Sequence, residues 1–268
     1  MKLCMMSYTM ARRKELFSVR GTLELAKELG LTGIDWCGLY DHEPQELRRM
    51  TDDYGLEVAC YTAGADLNHP DAAGRQAGVD TVKRSIEIAV ELGTDKIMVP
   101  SPGRPDVPRE VTRRHYIAGL QAASDFARQA GVTITVENFP GAFSPFVIAD
   151  DVLEAVREVP GLRITFDNGN AGTGEDPAGS FTRCAEYVVH AHFKDWELLP
   201  EGEGMRGLDG RHYRGDLIGE GILDHASCLA AMQHAGYTGF INIEYEGSKY
   251  TPEAATHKAA AYLRRLMA

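Results

Sequence analysis

Short apolar runs recur along the chain, and six of them follow a glycine that ends a segment of helical periodicity. A glycine placed just after a helix adopts the left-handed conformation that closes the last turn. Six such junctions predict repeated αβ units, because parallel strands need crossovers of this kind. The junctions are KELG-LTGIDW, DDYG-LEVACY, VELG-TDKIMV, RQAG-VTITVE, EVPG-LRITFD and QHAG-YTGFIN, with glycines at positions 30, 55, 93, 131, 161 and 236.

Two further apolar runs complete the set of predicted strands: YVVHAHF, inside the longest interval between junctions, and the N-terminal run. We predict strands near 2–7, 33–37, 56–61, 95–99, 132–138, 163–167, 187–193 and 240–245, and a closing helix in TPEAATHKAAAYLRRLMA. This pattern indicates the α/β class and a (β/α)8 TIM barrel, as a single domain over residues 1–268. An open doubly wound sheet is the alternative, but no GxGxxG or Walker-type loop follows the first strand.

Polar residues occupy three alternate positions of the run YVVHAHFKDW. Because side chains alternate between the two faces of a strand, His190, His192 and Lys194 share one face. The runs VTITVENF, LRITFDNGN and FINIEYEG alternate in the same way. Helices cover the outside of a barrel, so the polar set should face its axis. The residues predicted to meet at the C-terminal mouth, where barrel enzymes keep their chemistry, are Glu137, Asp167, His192 and Glu244.

Three carboxylates that converge in a barrel interior repel one another unless a positive charge lies between them. A divalent cation supplies that charge, and one imidazole with three carboxylates is a hard, oxygen-rich ligand set. Such a set favours Mn²⁺ or Mg²⁺, with Co²⁺, Zn²⁺ and Fe²⁺ as alternatives. A single carboxylate at a strand end is more often an ion-pair partner or a helix cap. The four residues in phase on successive strands favour the metal site.

Net charge, the length of apolar runs and the cysteine pattern limit which partners and which cellular compartment we expect. The net charge of −11 argues against nucleic acid or an anionic membrane surface as the main partner. No run reaches the length of about 18 apolar residues that a membrane span needs. Five scattered cysteines without a CxxC pair favour reduced thiols, and hence a cytoplasmic protein. We interpret the N-terminal MKLCMMSYTMARRK as the first strand rather than a signal sequence.

Several motifs together resemble those of one known superfamily. The motifs VENF, TFDNGN, HAHFKD and GEGILD…GYTGFINIEYEG are similar to those of xylose-isomerase-like barrels, the sugar phosphate isomerases and epimerases. The plan is close to that of ketose 3-epimerases and hydroxypyruvate isomerases. The family's metal ligands map onto Glu137, Asp167, His192 and Glu244, and its members often form homodimers or homotetramers. Many relatives carry Asp-x-x-His on the sixth strand, whereas here Asp167 is followed by Asn170.

The resemblance implies an isomerase or 3-epimerase that acts on a ketose or a related small polyol. A divalent cation polarises a carbonyl and lowers the pKa of the adjacent C–H group. Glu137 and Glu244 are the predicted catalytic residues, which remove and return a proton through an enediolate. A lyase that eliminates water, as in inosose and dehydroshikimate dehydratases, is the alternative. An abasic-site endonuclease is a third class, against which Asn170 and the negative net charge argue.

Further residues are candidates for contact with the carbohydrate. His190 is either a hydrogen-bonded core residue or a substrate contact, and Lys194 pairs with a ligand carboxylate or with an oxyanion. Asp195 points the other way and is expected to hold the following loop. The glycine-rich segment 196–221 is predicted to be a lid with arginines facing the mouth. The remaining predicted substrate contacts are Trp36, Tyr61, Asn170, Arg206 and Arg211.

Overall fold

The structure, a computed structural model, describes residues 1–268, and eight of its strands close into a parallel barrel. The barrel strands are β1 (Lys2–Met6), β2 (Gly33–Trp36), β3 (Glu57–Thr62), β4 (Lys96–Val99), β5 (Thr133–Glu137), β6 (Arg163–Asp167), β7 (Val188–Phe193) and β11 (Phe240–Ile243). They follow one another in chain order around the ring, and β1 pairs with β11 to close it. The predicted (β/α)8 barrel is confirmed.

Ten α-helices accompany the strands. They are α1 (Ser7–Ala11), α2 (Val19–Glu28), α3 (Pro44–Asp53), α4 (Ala72–Leu92), α5 (Arg109–Ala130), α6 (Ala149–Glu158), α7 (Asn168–Ala171), α8 (Pro177–Cys184), α9 (His225–His234) and α10 (Pro252–Met267). Six of them begin at a side chain that accepts a hydrogen bond from the first turn, namely Ser18, Asp71, Asp167, Asp176, Asp224 and Thr251. These caps satisfy N–H groups that have no partner within the helix.

The six junction glycines all adopt a left-handed conformation, with φ between 60° and 78°. Residues with a side chain are strained there, whereas glycine is not. Gly93 and Gly131 follow α4 and α5 directly and turn the chain toward β4 and β5. The predicted helix–glycine–strand junctions are therefore present, and each glycine ends the helix that precedes a barrel strand.

The two faces of the barrel strands have different surroundings. Outward residues such as Ile134, Val136 and Phe166 are buried against the helices in the main hydrophobic core. Inward residues on β1, β3 and β4 form a small apolar cluster of Met6, Cys60 and Met98. The inner face of β5 to β7 and the end of β11 carry carboxylates and imidazoles instead. Apart from Asp35 on β2, the polar side chains of the interior lie on the side of β5 to β7 and β11, and this side holds the candidate site.

The segment that follows β7 is a small antiparallel sheet of β8 (Asp195–Leu199), β9 (Met205–Arg206) and β10 (His212–Asp216). Buried Trp196 donates its ring N–H to the carbonyl of Gly169 at 2.7 Å. The N–H of Asp209 donates to the carbonyl of Thr173 at 3.1 Å. The predicted loop is therefore a folded sheet fixed to the loop after β6, and its role as a lid stays a prediction.

Two expectations from composition can be compared with the fold. None of the helices combines the length and the apolar character that a membrane crossing requires. All five cysteines are free thiols, and four of them are buried.

Candidate metal centre and active site

Four side chains converge at the C-terminal mouth of the barrel. Glu137 and Asp167 end β5 and β6, His192 lies near the end of β7, and Glu244 directly follows β11. One ligand atom from each lies within 4.8 Å of those of the other three, and all four residues are buried. His192 Nδ1 is 2.7 Å from Glu137 Oε1 and 3.6 Å from Glu244 Oε2. The structure thus brings together the four residues that strand alternation singled out.

The cluster retains protons because burial separates its charges from water. Burial raises the pKa of Asp167 from 3.8 to about 8; Lys194 opposes the rise, whereas the charges of Glu137 and Glu244 add to it. Burial lowers the pKa of His192, but hydrogen bonds and charges from Asp35 and Glu137 outweigh it and hold the pKa well above 6.5. A metal ion competes with these protons for the same ligand atoms.

Two oxygens of the cluster, Asp167 Oδ2 and Glu244 Oε2, are buried without a hydrogen-bond donor. A buried acceptor without a partner costs about 1–3 kcal/mol, and more when it is charged. Lys194 Nζ lies 3.4 Å from Asp167 Oδ2, which is an ion-pair distance but not a directed hydrogen bond. Three carboxylates and one imidazole with free lone pairs suit a hard divalent cation. The residues therefore fit the predicted metal.

Lys194 is buried at the same mouth, with 5% of its surface exposed. Its Nζ lies 3.0 Å from Glu244 Oε1 and 3.3 Å from Glu246 Oε2. Burial lowers the pKa of Lys194, but the charges of Asp167 and the neighbouring glutamates outweigh it and hold the pKa well above 10.5. The sequence left two roles open for Lys194, pairing with a ligand carboxylate or with an oxyanion. The structure shows the first, with Glu244 as the partner.

Asp35 of β2 is a buried carboxylate that sequence reasoning missed. It accepts hydrogen bonds from His190 and His192, at 2.6 and 3.1 Å. Burial raises the pKa of Asp35, but the two histidines outweigh it and lower the pKa from 3.8 to about 2. His190 is fully buried and hydrogen-bonded to Asp35, as expected for a core histidine, and its contact with substrate stays a prediction. Strand alternation could have revealed it, because Ile34 and Trp36 face the helices and Asp35, between them, must face the barrel axis.

Asn170 lies in the short helix α7, three residues after Asp167. Its backbone N–H donates to Asp167 Oδ1 at 2.7 Å, which orients that carboxylate. Both atoms of its side-chain amide are buried and have no hydrogen-bond partner in the protein. An amide in this state offers one donor and one acceptor group to a bound molecule.

The architecture and the four converging residues can be set beside known proteins. Residues 23–266 match the family described as the xylose isomerase-like TIM barrel. The chain belongs to this family. The match includes all four residues of the candidate centre, and it agrees with the resemblance carried by the strand-end motifs.

Relatives of this xylose isomerase-like chain have several different activities. The rhizopine catabolism protein MocC of Rhizobium meliloti is 25% identical over 240 residues, which is 82% of this chain and 72% of that protein. An inosose dehydratase of Lacticaseibacillus casei is 29% identical over 159 residues, 56% of this chain and 53% of the dehydratase. The 2-oxo-tetronate isomerase of Haemophilus influenzae is 23% identical over 240 residues, 83% of this chain and 86% of the isomerase. The relatives thus include an isomerase and a dehydratase.

Solved structures of the same fold superpose over nearly the whole chain. The IOLI protein with a bound zinc atom has a TM-score of 0.83 at 20% identity, covering 99% of this chain and 98% of that one. An L-ribulose 3-epimerase has a TM-score of 0.80 at 18% identity, covering 99% of this chain and 94% of that one. At these identities the likeness establishes the fold.

Two aromatic residues predicted to stack on a sugar lie elsewhere in this xylose isomerase-like barrel. Trp36 is fully buried, and its ring N–H donates to Thr51 Oγ1 of α3 at 3.2 Å. Tyr61 also belongs to the outer hydrophobic core. The prediction of substrate contact is wrong for both, because their strand phase directs them toward the helices while Asp35 and Cys60 face inward.

The arginines after β7 are not brought to the four-residue centre. Arg211 pairs with Asp209 at 2.6 Å and lies over the ring of Tyr213, so the prediction that it binds substrate is not supported. Arg206 is exposed on β9, and its carbonyl accepts a hydrogen bond from the N–H of Ala142. Asp195 accepts hydrogen bonds from several backbone N–H groups between residues 196 and 223, so it holds the following loop as expected.

Proposed function

We propose that this chain is a divalent-metal-dependent isomerase or epimerase that moves a proton on a ketose or a related small polyol. The observation that carries the proposal is the buried set of Glu137, Asp167, His192 and Glu244, with ligand atoms within 4.8 Å of one another. A cluster balanced only by ion pairs would not need to leave Asp167 Oδ2 and Glu244 Oε2 without donors. Two of the four residues are glutamates, which suit proton transfer as well as binding.

All four side chains would hold the cation, which when bound polarises a substrate carbonyl and acidifies the neighbouring C–H group. Glu137 or Glu244 then accepts the proton from carbon, and the C–H electron pair moves toward the carbonyl oxygen to give an enediolate. The second glutamate returns one proton. Return to the former carbonyl carbon, with a proton passing between the two enediolate oxygens, completes an isomerisation. Return to the opposite face of the same carbon completes an epimerisation.

Two neighbouring residues support this proton transfer. Lys194 Nζ, 3.0 Å from Glu244 Oε1, orients that carboxylate and places a positive charge beside the developing enediolate. Asn170 carries a buried amide without protein partners, which suits a hydrogen bond to a substrate hydroxyl. We therefore assign Lys194 and Asn170 to the substrate site.

For the cation we favour Mn²⁺ or Mg²⁺, because three of the four proposed ligands are carboxylates. Zinc is the first alternative, since the IOLI structure of the same fold contains a zinc atom. The imidazole of His192 is compatible with either choice.

A second candidate reaction is dehydration. The inosose dehydratase aligns at 29% identity, although over only 53% of its own length. The same enediolate eliminates water when a hydroxyl group is attached to the carbon next to the enediolate. Both reactions begin with removal of a proton from carbon, so they require the same two glutamates and differ in what leaves afterwards.

One experiment separates the two reactions. The Mn²⁺-loaded protein is screened in D₂O against ketoses, inososes and their phosphates, with mass and NMR detection of products. Deuterium incorporation at carbon without loss of water supports the isomerase or epimerase. A product with a new double bond selects the dehydratase, and the absence of exchange with every compound contradicts both.

A further inference from the structure

Asp35 is the common acceptor of three buried donors beside the proposed metal centre. Its Oδ2 lies 2.6 Å from His190 Nε2, 2.7 Å from Asn242 Nδ2 and 3.1 Å from His192 Nε2. Asp35 is 1% exposed, and its three partners are fully buried. A carboxylate is costly to remove from water unless such donors compensate for the loss. The position is therefore built to keep a negative charge inside the barrel.

The ring of His192 is held on both of its nitrogen atoms. Nδ1 faces the ligand cluster, 2.7 Å from Glu137 Oε1, while Nε2 faces Asp35. A histidine binds a metal only through an unprotonated nitrogen, and the partner of the other nitrogen decides which one that is. Donation of the Nε2 proton to Asp35 leaves Nδ1 as the nitrogen that faces the cluster.

We propose that Asp35 is the positioning residue of the metal centre and fixes both the ring orientation and the tautomer of His192. The inference rests on the proposed function, because it takes His192 as a metal ligand. His190 and Asn242 hold the Asp35 carboxylate in place from β7 and from β11. Asp35 acts through His192 and does not touch the substrate.

Cys4, Asp35 and His190 also form a small group of ligand atoms, which suggests a competing assignment as a second metal site. Two observations favour positioning instead. Asp35 Oδ2 is already satisfied by three donors. Burial and the charge of Asp35 raise the pKa of the Cys4 thiol well above 9.0, so the thiolate that a metal requires is disfavoured. The number of metal ions bound per chain distinguishes the two assignments.

Isothermal titration with Mn²⁺ tests the inference on the wild-type chain and on Asp35→Ala, Asp35→Asn and Thr165→Val. Loss of an outer partner of a metal ligand weakens metal binding about 10- to 100-fold, and we expect this loss for Asp35→Ala. Asp35→Asn should lose less, because its amide oxygen still accepts from His192. This isosteric variant carries the test if Asp35→Ala does not fold.

The control, Thr165→Val, removes another buried hydrogen bond of the barrel interior. Thr165 Oγ1 lies 2.7 Å from Thr135 Oγ1, and Thr165 is paired with His190 in the sheet register. Its hydroxyl makes no hydrogen bond to the four ligands, so the affinity for Mn²⁺ should not change. A loss in this variant equal to that in Asp35→Ala would mean that any disturbance of the interior weakens the metal site, which would overturn the specific role of Asp35.

A second measurement follows the histidine ring itself. Long-range ¹H–¹⁵N spectra of the Mg²⁺-loaded protein report which nitrogen of each histidine carries the proton. We expect His192 to be protonated on Nε2 in the wild type and to exchange between tautomers in Asp35→Ala. His225, whose Nε2 lies 2.9 Å from Asp195 Oδ2, is the internal reference and should not change. A purely structural role of Asp35 would lower stability without moving the His192 signals.

The outcomes separate failure of this inference from failure of the proposed function. If the wild-type chain binds no Mn²⁺, the proposed metal centre is contradicted, and the inference about Asp35 is contradicted with it. If the wild type binds Mn²⁺ and both Asp35 variants bind it equally well with an unchanged His192 tautomer, only the Asp35 inference is overturned. Two ions in the wild type and one in Asp35→Ala would replace positioning with a second metal site.

Discussion

Lys194 Nζ lies 3.0 Å from Glu244 Oε1, so a buried ammonium group stands among the carboxylates of the proposed metal centre. It is also 3.4 Å from Asp167 Oδ2. Because these neighbours hold the pKa of Lys194 well above 10.5, the group stays charged across the physiological range. Lys194 and the proposed cation therefore neutralise some of the same carboxylates.

Replacement of Lys194 by Met should make the fold depend on metal. Removing one partner of a buried ion pair typically costs about 3–5 kcal/mol, because the other charge stays buried without compensation. In EDTA we expect Lys194→Met to lose about this much free energy of unfolding. Added Mn²⁺ should restore part of the loss and stabilise the variant more than it stabilises the wild type. Urea unfolding with EDTA and with Mn²⁺ measures both effects.

Lys2→Met is the matched control for that comparison. Lys2 also pairs with a glutamate, Glu57, at 2.8 Å, but both side chains are about half exposed. Exposed pairs contribute roughly 0–1 kcal/mol, so this variant should unfold like the wild type with or without metal. If Lys194→Met and Lys2→Met unfold alike both in EDTA and with Mn²⁺, Lys194 does not neutralise the carboxylates that would bind the metal.

Asn170→Ala should separate substrate binding from metal binding. The backbone N–H that orients Asp167 remains in the variant, so Mn²⁺ affinity should be unchanged. The side-chain amide has no partner in the protein, so its removal breaks no internal hydrogen bond and affects only a hydrogen bond to substrate. One lost hydrogen bond to substrate corresponds to about a tenfold rise in KM. Steady-state kinetics with Mn²⁺ titration measure both, and weakened Mn²⁺ binding would instead assign Asn170 to the metal site.

The order of elements could be predicted from the sequence because glycine marks each helix end and alternation marks each strand. The predicted strand near 163–167 coincides with β6, and the one near 240–245 extends two residues beyond β11. The four-residue centre could be predicted for the same reason. A period of two fixes which side chains face the axis, and closure of the barrel brings strand ends together.

For other features the strand alternation was overlooked or was not sufficient by itself. Asp35 stands alone in the apolar run GIDW, and its role appears only when β2 is placed across the barrel from β7. Trp36 and Tyr61 were assigned by residue type, although their phase directs them outward. The sheet β8–β10 was missed because glycine-rich turns join its strands, and Trp196 docks it onto the loop after β6.

Metal binding should strengthen as the pH rises toward about 8. The pKa of Asp167 is raised to about 8, above its ordinary 3.8, so the folded metal-free protein favours the protonated carboxyl group. This group stabilises the metal-free fold below about pH 4, and the contribution is lost as the pH rises through 8. A metal must displace the proton, so Mn²⁺ affinity should rise about tenfold per pH unit for each proton displaced.

Calorimetric titrations with Mn²⁺ between pH 6 and 9 in buffers of different ionisation enthalpy measure that affinity and the number of protons released. We expect at least one proton per metal at pH 6 and fewer at pH 9. An affinity that does not change over this range would show that Asp167 is already ionised in the metal-free protein. The pKa shift caused by its burial would then be contradicted.

Glu137→Gln and Glu244→Gln test the acid/base pair without removing a side chain. Glutamine keeps the size and one oxygen ligand of glutamate but cannot accept the proton from carbon. Each variant should retain detectable Mn²⁺ binding and lose a factor on the order of 10² to 10⁴ in turnover, the usual contribution of a positioned acid or base. Glu197→Gln, at an exposed ion pair with Arg214 on the β8–β10 sheet, should keep full turnover.

Exchange of substrate hydrogen with D₂O then distinguishes the roles of the two glutamates. The variant that keeps the proton-removing carboxylate should still exchange the α-hydrogen without completing turnover, because deprotonation remains reversible on one face. The variant that lacks this carboxylate should neither exchange nor turn over. If both variants bind Mn²⁺ and turn over at wild-type rates, proton transfer by two glutamates is wrong.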